Sequence, residues 1–383
     1  MQKAVRFIIL MGLVSLFGDM TYEGARSVVG PYLATFGVSA ALLGFVVGVG
    51  ELSGFALRLV SGYVADRTKR YWAMTFIGYG LILAIPLLAL ANQWEIAALL
   101  IVLERTGKAI RSPARDAILS FATKQVGRGW GFGIHEALDQ IGAIIGPLIF
   151  FAVFYLNGGY REGFAILLIP AILALLTLSF ARVEYPSPHT LEAEFKLRDR
   201  KLPRTFWLYT LFIFLSMAGF ANFQIISYHL KTQSIISDAF IPIIYAIAMG
   251  VDALAALATG KAYDKVGLKS LTLVPVITPL ILLSFSHSWT LALIGIVAWG
   301  IAMGMQETIM RAAVADLVGA ELRSTAYGIF NTAYGVAFFA GSVAVGLFYD
   351  ISVRYLIAYV ILAELAALLL LKVGLERAAW EAR

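Results

Sequence analysis

Glu104, Arg105, Lys108, Arg111, Arg115 and Asp116 crowd the stretch ERTGKAIRSPARD, which lies between the apolar runs WEIAALLIVL and AILSFA. Acids and bases set in apolar surroundings can gain and lose partners, and with them protons, away from bulk water. A charge at the centre of a bilayer costs about 2.5–3.5 kcal/mol even on the lenient insertion scale. At about 100° per residue, Glu104, Lys108, Arg111 and Arg115 form one polar stripe, and Arg105 and Asp116 lie on a second face. Lys108 falls roughly 20 Å from the outer end of its helix, close to a membrane midplane.

Further ionisable groups sit at similar depth in the first half of the chain. Asp19, Glu23 and Arg26 share one helix face at i, i+4 and i+7, and Glu51 shares a face with Arg58. Glu136 with Gln140, and His135 with Asp139, are spaced i, i+4. Acids and bases balance, which implies pairing, and pairing offsets burial. Asp19, Glu104, Arg105 and Asp139 are the candidates for proton coupling. A buried carboxylate that loses its cation takes up a proton, and restoring the pair expels it. Arg58, Arg111 and Arg115, nearest the cytoplasmic end, fit a purely architectural role equally well.

The elements that must position these groups are membrane helices. The chain has 383 residues, 60% hydrophobic and 14% charged, with a mean hydropathy of +0.83; soluble domains carry about 25% charged residues. Spanning helices need about 20 apolar residues. Such stretches are expected near 5–35, 41–65, 71–91, 95–119, 131–156, 163–182, 205–231, 238–259, 270–287, 289–318, 324–349 and 353–373. The predicted fold class is therefore an all-α polytopic membrane protein with twelve spans. Its expected organisation is two six-helix bundles, residues 1–183 and 205–383, joined by a polar linker over 184–204. Asp19, Glu23 and Arg26 interrupt the first segment, which argues against a cleaved signal peptide. Lysine and arginine cluster at 66–70, in the central linker, at 261–269 and in both terminal segments, whereas the opposite loops hold only Arg161, Lys231 and Arg354. The positive-inside rule then places both termini in the cytoplasm. The net charge of +6 follows from that topology and requires no nucleic-acid partner.

The two halves repeat. GYVADRTKR from Gly62 is answered by GKAYDKVGLK from Gly260, and Arg111 and Asp116 by Arg311 and Asp316. RGWGFG at 128–133 is answered by RSTAYG at 323–328, with Gly146 and Gly341 following at equal distance. The charge is lopsided, however. Glu104, Arg105 and Lys108 align with Gly304, Met305 and Thr308, and Glu136 and Asp139 with Asn331 and Tyr334. Glu23, Arg26, Lys108 and Glu136 are candidate substrate-cavity residues of the first half. Asn222, Gln224, Gln306, Asn331 and Tyr334 are those of the second, a milder wall rich in amides and aromatics.

With its repeat and its signature loop, the chain resembles a major facilitator superfamily transporter over essentially its whole length. Gly62, Asp66, Arg67, Lys69 and Arg70 match the family's pattern G-x-x-x-D-R-x-G-[RK]-[RK], with Thr68 where the glycine usually stands. The resemblance implies a cytoplasmic gate of Gly62, Asp66, Arg67, Arg70 and Asp116, with Asp66 able to face the start of the eleventh helix near Arg323 and Ser324. GIHEALDQIGAIIGP is similar to the antiporter-associated pattern: Gly133, Gly142, Gly146 and Pro147 fit, and Phe150 and Phe151 replace its final glycines. Gly142, Gly146 and Pro147 are the expected hinge of the fifth helix. The resemblance implies a transporter in a prokaryotic cell membrane, similar to drug:proton antiporters and working by alternating access about a midplane cavity.

The expected function is proton-coupled efflux of a small amphiphilic or drug-like molecule. Uptake of an organic anion held by Arg26, Arg105 or Lys108 is the alternative, and a non-transporting membrane scaffold is the alternative of another class. The expected partners are a small molecule, protons and lipid, with the protein a monomer. An enzyme is not expected: no H-E-x-x-H, G-x-S-x-G or P-loop is present. There are no cysteines, and His135, His189, His229 and His287 lie in separate elements. No cofactor or metal is expected.

Overall fold

The computed structural model describes residues 2–123, 128–186, 202–319 and 322–381. Apolar composition dictates helix here, because a lipid-exposed backbone must satisfy its own hydrogen bonds. The helices are α1 (Gln2–Ala34), α2 (Ala40–Thr68), α3 (Tyr71–Leu90), α4 (Trp94–Thr123), α5 (Arg128–Tyr155) and α6 (Tyr160–Glu184). Then come α7 (Arg204–Thr232), α8 (Ile241–Val266), α9 (267–285, largely in the tighter 3-10 form), α10 (Trp289–Val314), α11 (Arg323–Ile351) and α12 (Val353–Glu381). The described residues contain ten stretches long and apolar enough to cross a membrane. One of them, Asp238–Phe285, is 48 residues long and holds both α8 and α9. The charge-rich α4 has 30 residues, ample for a crossing, although its composition keeps it out of that apolar set. With both allowances the all-α fold of twelve spans is the one observed.

Helix ends follow local chemistry. Gly37, at φ +74°, makes the turn between α1 and α2. Lys69 takes the left-handed conformation, φ 56°, that ends α2, one position after Thr68. Within α7 the helix breaks after Ala218. Asn222 restarts it by accepting from the Ile225 amide at 3.0 Å, as an N-cap does.

The chain packs into two compact units. The first comprises Met1–Phe36, Ser53–Ala193 and Ser237–Ala246; the second comprises Gly37–Leu52, Glu194–Ile236 and Ile247–Arg383. The first turns of α2 thus pack with the later helices, and the start of α8 with the earlier ones. In the second unit the Asp350 carboxylate accepts from the Ala40 and Ala41 amides, at 3.0 and 2.9 Å, at the positive end of α2. In the first unit Tyr160 donates to Asp238 at 2.6 Å, just before α8.

Lipid supplies no hydrophobic drive between helices, so small residues that admit close backbones decide the contacts. A Cβ on Gly142 would overlap the Leu16 carbonyl, and one on Gly146 would overlap the Met20 carbonyl and the Gly24 amide. The backbones of α1 and α5 therefore touch, and the neighbours are main chain that cannot rotate away. Gly146→Ala is expected to cost roughly 1–3 kcal/mol, measurable as earlier unfolding in a detergent-denaturation titration. An unchanged midpoint would show that the two helices can separate freely there.

Candidate functional site

Two crossings place the charged stripe of α4 inside the first unit. Gly78 of α3 and Gly107 of α4 meet so closely that a Cβ on Gly107 would lie 2.8 Å from the Gly78 carbonyl. Ser61 of α2 donates to the Ala109 carbonyl at 2.7 Å. Held between these helices, α4 turns its stripe toward α1.

The stripe is a chain of pairs. Arg111 Nη2 lies 3.3 Å from Glu104 Oε1, and Arg105 Nε lies 3.8 Å from Oε2. The side chains of Glu104 and Arg111 are each 3% exposed and that of Arg105 10%, so this cluster is withdrawn from water. Arg111 also donates to the Gly78 carbonyl at 3.4 Å. Arg115 binds Asp116, Nη2 to Oδ1 at 2.9 Å, and donates to Ser15 Oγ at 2.9 Å. Ser15 in turn meets His135 Nε2 at 3.0 Å. Lys108 donates to the Tyr22 hydroxyl. Glu23 pairs with Arg26 at 3.5 Å and accepts from Tyr245 of α8.

Two acids stand apart from this pairing. Asp19 and Asp139, both half-buried, form no hydrogen bond or ion pair with the described residues, and Asp139 Oδ1 is buried without a hydrogen-bond partner. Asp19 lies within electrostatic reach of Asp139, Lys108, Glu23 and Arg111. The structure thus brings together Asp19, Glu23, Arg26, Glu104, Arg105, Lys108 and Asp139, while Glu136 is exposed on α5.

Asp66 and Arg67 of the signature loop, and Asp116, take partners near them in sequence. Asp66 accepts from Tyr71 at 3.0 Å, Arg67 donates to Tyr63 at 3.0 Å, and Asp116 is held by Arg115. Gly62 packs against Pro113, and Arg70 is exposed. Gly142 and Gly146 form the contact with α1, and Pro147 is buried within an unbroken α5. The side chains of Arg311, Arg323 and Ser324, and the whole of His189, lie outside the described residues.

In the second unit Asn222 also donates to Ser342 at 3.0 Å. Gln306, in a π-helical turn of α10, accepts from Tyr334 at 3.2 Å and leaves its Nε2 without a partner. Gln224 is buried with Oε1 unpartnered, and Asn331 is half-buried on α11. Rings of α11 continue this wall: Phe330, Tyr334 and Phe338 follow one another at 6.0 and 6.4 Å, and Phe220 lies 6.3 Å from Phe338.

Sequence reasoning passed over two residues here. Tyr22 falls three positions after Asp19, on the face already marked by Asp19, Glu23 and Arg26, so the helical period could have found it. Tyr245 bonds to a carboxylate 222 residues earlier, and no local pattern announces such a contact.

The Major Facilitator Superfamily profile matches residues 8–341 and, in a second alignment, 213–379. A protein of Mycobacterium tuberculosis described as uncharacterised is 41% identical over 379 residues, covering 96% of this chain and 93% of its own length. An MFS-type transporter of Methanocaldococcus jannaschii, also described as uncharacterised, is 30% identical over 377 residues, 95% of this chain and 94% of its own. The crystal structure of the nucleoside transporter NupG shares the fold, with a TM-score of 0.73 at 14% identity over 97% of this chain and 98% of that one. With these matches along nearly its whole length, the chain belongs to the major facilitator superfamily: it is a multi-pass membrane transporter rather than an enzyme.

Proposed function

We propose that the protein is a secondary transporter that expels a small amphiphilic compound in exchange for protons. In this reading the repeats 1–183 and 205–383 rock to give alternating access, with both termini cytoplasmic. One observation carries the proposal. The cations Arg105, Lys108, Arg111 and Arg115 of α4 each have a protein acceptor, whereas Asp19 and Asp139 have no donor or paired cation among the described residues. These two acids call for positive charge, supplied by a proton or by a cationic substrate. An organic anion would have to displace an existing partner from every one of those bases.

Glu104, fixed between Arg105 and Arg111, supports a positioning role, and Asp19 is the proton carrier, with Asp139 beside it. The buried amides Gln224 and Gln306 and the rings of α11 suit the apolar body of an amphiphile. The loop from Gly62 to Arg70, with Asp116, serves as the cytoplasmic gate in this reading. The glycines of α5, with Pro147, let that helix shift against α1.

Everted membrane vesicles carrying the protein test the proposal, with ethidium as the cationic amphiphile. Saturable ethidium accumulation that collapses on adding a protonophore is the expected result. Absence of accumulation, together with thermal stabilisation of the purified protein by organic anions, would overturn efflux in favour of anion uptake.

A further inference from the structure

Tyr22 is buried on α1 with three cations gathered about its ring. Lys108 Nζ lies 4.0 Å from the ring centroid, Arg105 Cζ 5.4 Å and Arg111 Cζ 6.0 Å. A ring face attracts cations through its quadrupole, and here the hydroxyl adds an acceptor for the ammonium. The two arginines also have Glu104. Lys108 has no carboxylate partner of its own among the described residues, although Asp19 is among its charged neighbours.

The charged groups that act most strongly on Lys108 and Asp19 are Glu23 on α1, Arg58 on α2, Arg105 and Arg111 on α4, and Asp139 on α5. Glu23 also attracts the lysine, but its carboxylate is already engaged by Arg26 and Tyr245. Tyr22 and Asp19 are three apart on α1, hence neighbours on one helix face. A lysine on its flexible four-carbon stem can pass from one to the other by side-chain rotation.

We propose that Tyr22 is a positioning residue that withholds Lys108 from Asp19, and that transfer of the ammonium between the Tyr22 hydroxyl and the Asp19 carboxylate sets when Asp19 carries a proton. This inference rests on the reading of Asp19 as a proton carrier given under the proposed function. With Lys108 on Tyr22, Asp19 lacks a cation and binds a proton from water. With Lys108 on Asp19, that proton returns to water and an ammonium–carboxylate pair replaces it. Lys108 stays protonated and Tyr22 neutral throughout, so one proton enters and one leaves per cycle.

Infrared titration of the full-length protein in lipid nanodiscs tests this without any substrate, by following the protonated-carboxyl stretch against pH. Asp19→Asn is expected to remove one titrating band. Tyr22→Phe, which keeps the ring and drops the hydroxyl, is expected to release Lys108 to Asp19 and move that band about one pH unit toward acid. In a Lys108→Met background the Tyr22→Phe shift should vanish. An unmoved band in Tyr22→Phe would overturn the role of Tyr22 while leaving Asp19 as the carrier. A shift that persists without Lys108 would overturn it too, since the effect would then not pass through the lysine. All bands surviving in Asp19→Asn would remove the carrier reading itself, and this inference with it. Should the phenylalanine variant fail to accumulate, Tyr22→Met removes the hydroxyl with an adaptable side chain and carries the same expectations.

Discussion

Replacing Glu104 with leucine is expected to cost about 3–5 kcal/mol and to prevent accumulation of folded protein. The carboxylate sits between the guanidinium groups of Arg111 and Arg105, at 3.3 and 3.8 Å, all nearly out of contact with water. Removing it strands two buried positive charges that also repel one another, and that loss is a large share of the roughly 5–15 kcal/mol that keeps a domain folded. Two further variants separate charge from packing. Glu104→Gln keeps the shape and one acceptor oxygen, so an intermediate loss is expected. The pair Glu104→Met with Arg111→Met removes both members of the tighter bridge and is expected to recover much of the deficit, because well-packed apolar replacements of a buried ion pair are often neutral. Yield of monodisperse protein and the midpoint of detergent-induced unfolding are the measurements. A Glu104→Leu protein that accumulates at wild-type levels would show that water reaches the cluster.

Asp19→Asn is expected to abolish uphill transport while leaving downhill exchange intact. An amide has the shape of the carboxylate but binds no proton, so the variant cannot translate a proton gradient into a difference in substrate affinity. A ligand shifts a conformational equilibrium only by as much as it prefers one state over the other. With that preference gone, the accumulation ratio in energised vesicles should fall to about one. The same outcome is expected for Asp139→Asn, since Asp139 lies among the charges that Asp19 feels and has one buried oxygen with no hydrogen bond. Ethidium accumulation driven by an imposed pH gradient measures the first quantity, and exchange without a gradient the second. Undiminished gradient-driven accumulation in both variants would place coupling elsewhere in the protein.

The sequence by itself determined the helical membrane architecture, the internal repeat and the concentration of charge in the first half. These features are legible because hydrophobic length, the 3.6-residue period and the spacing of repeated landmarks are written along the chain. The stripe on α4 is one such case. Glu104 and Arg111 were placed on a common face by period alone, and they are found 3.3 Å apart. The same period marked Asp19, Glu23 and Arg26 as one face of α1.

The tertiary structure decided which partner each charge took. Arg105 turned to its neighbour Glu104, Asp116 went to Arg115, and Lys108 went to Tyr22, which no sequence pattern had singled out. Tyr245 reached Glu23 from the other half of the sequence. A helical period fixes the face a side chain occupies but not which helix lies opposite. That depends on crossings set by glycines such as Gly78 with Gly107 and Gly146 with Gly24, where backbones touch and a few ångströms choose one acceptor over another.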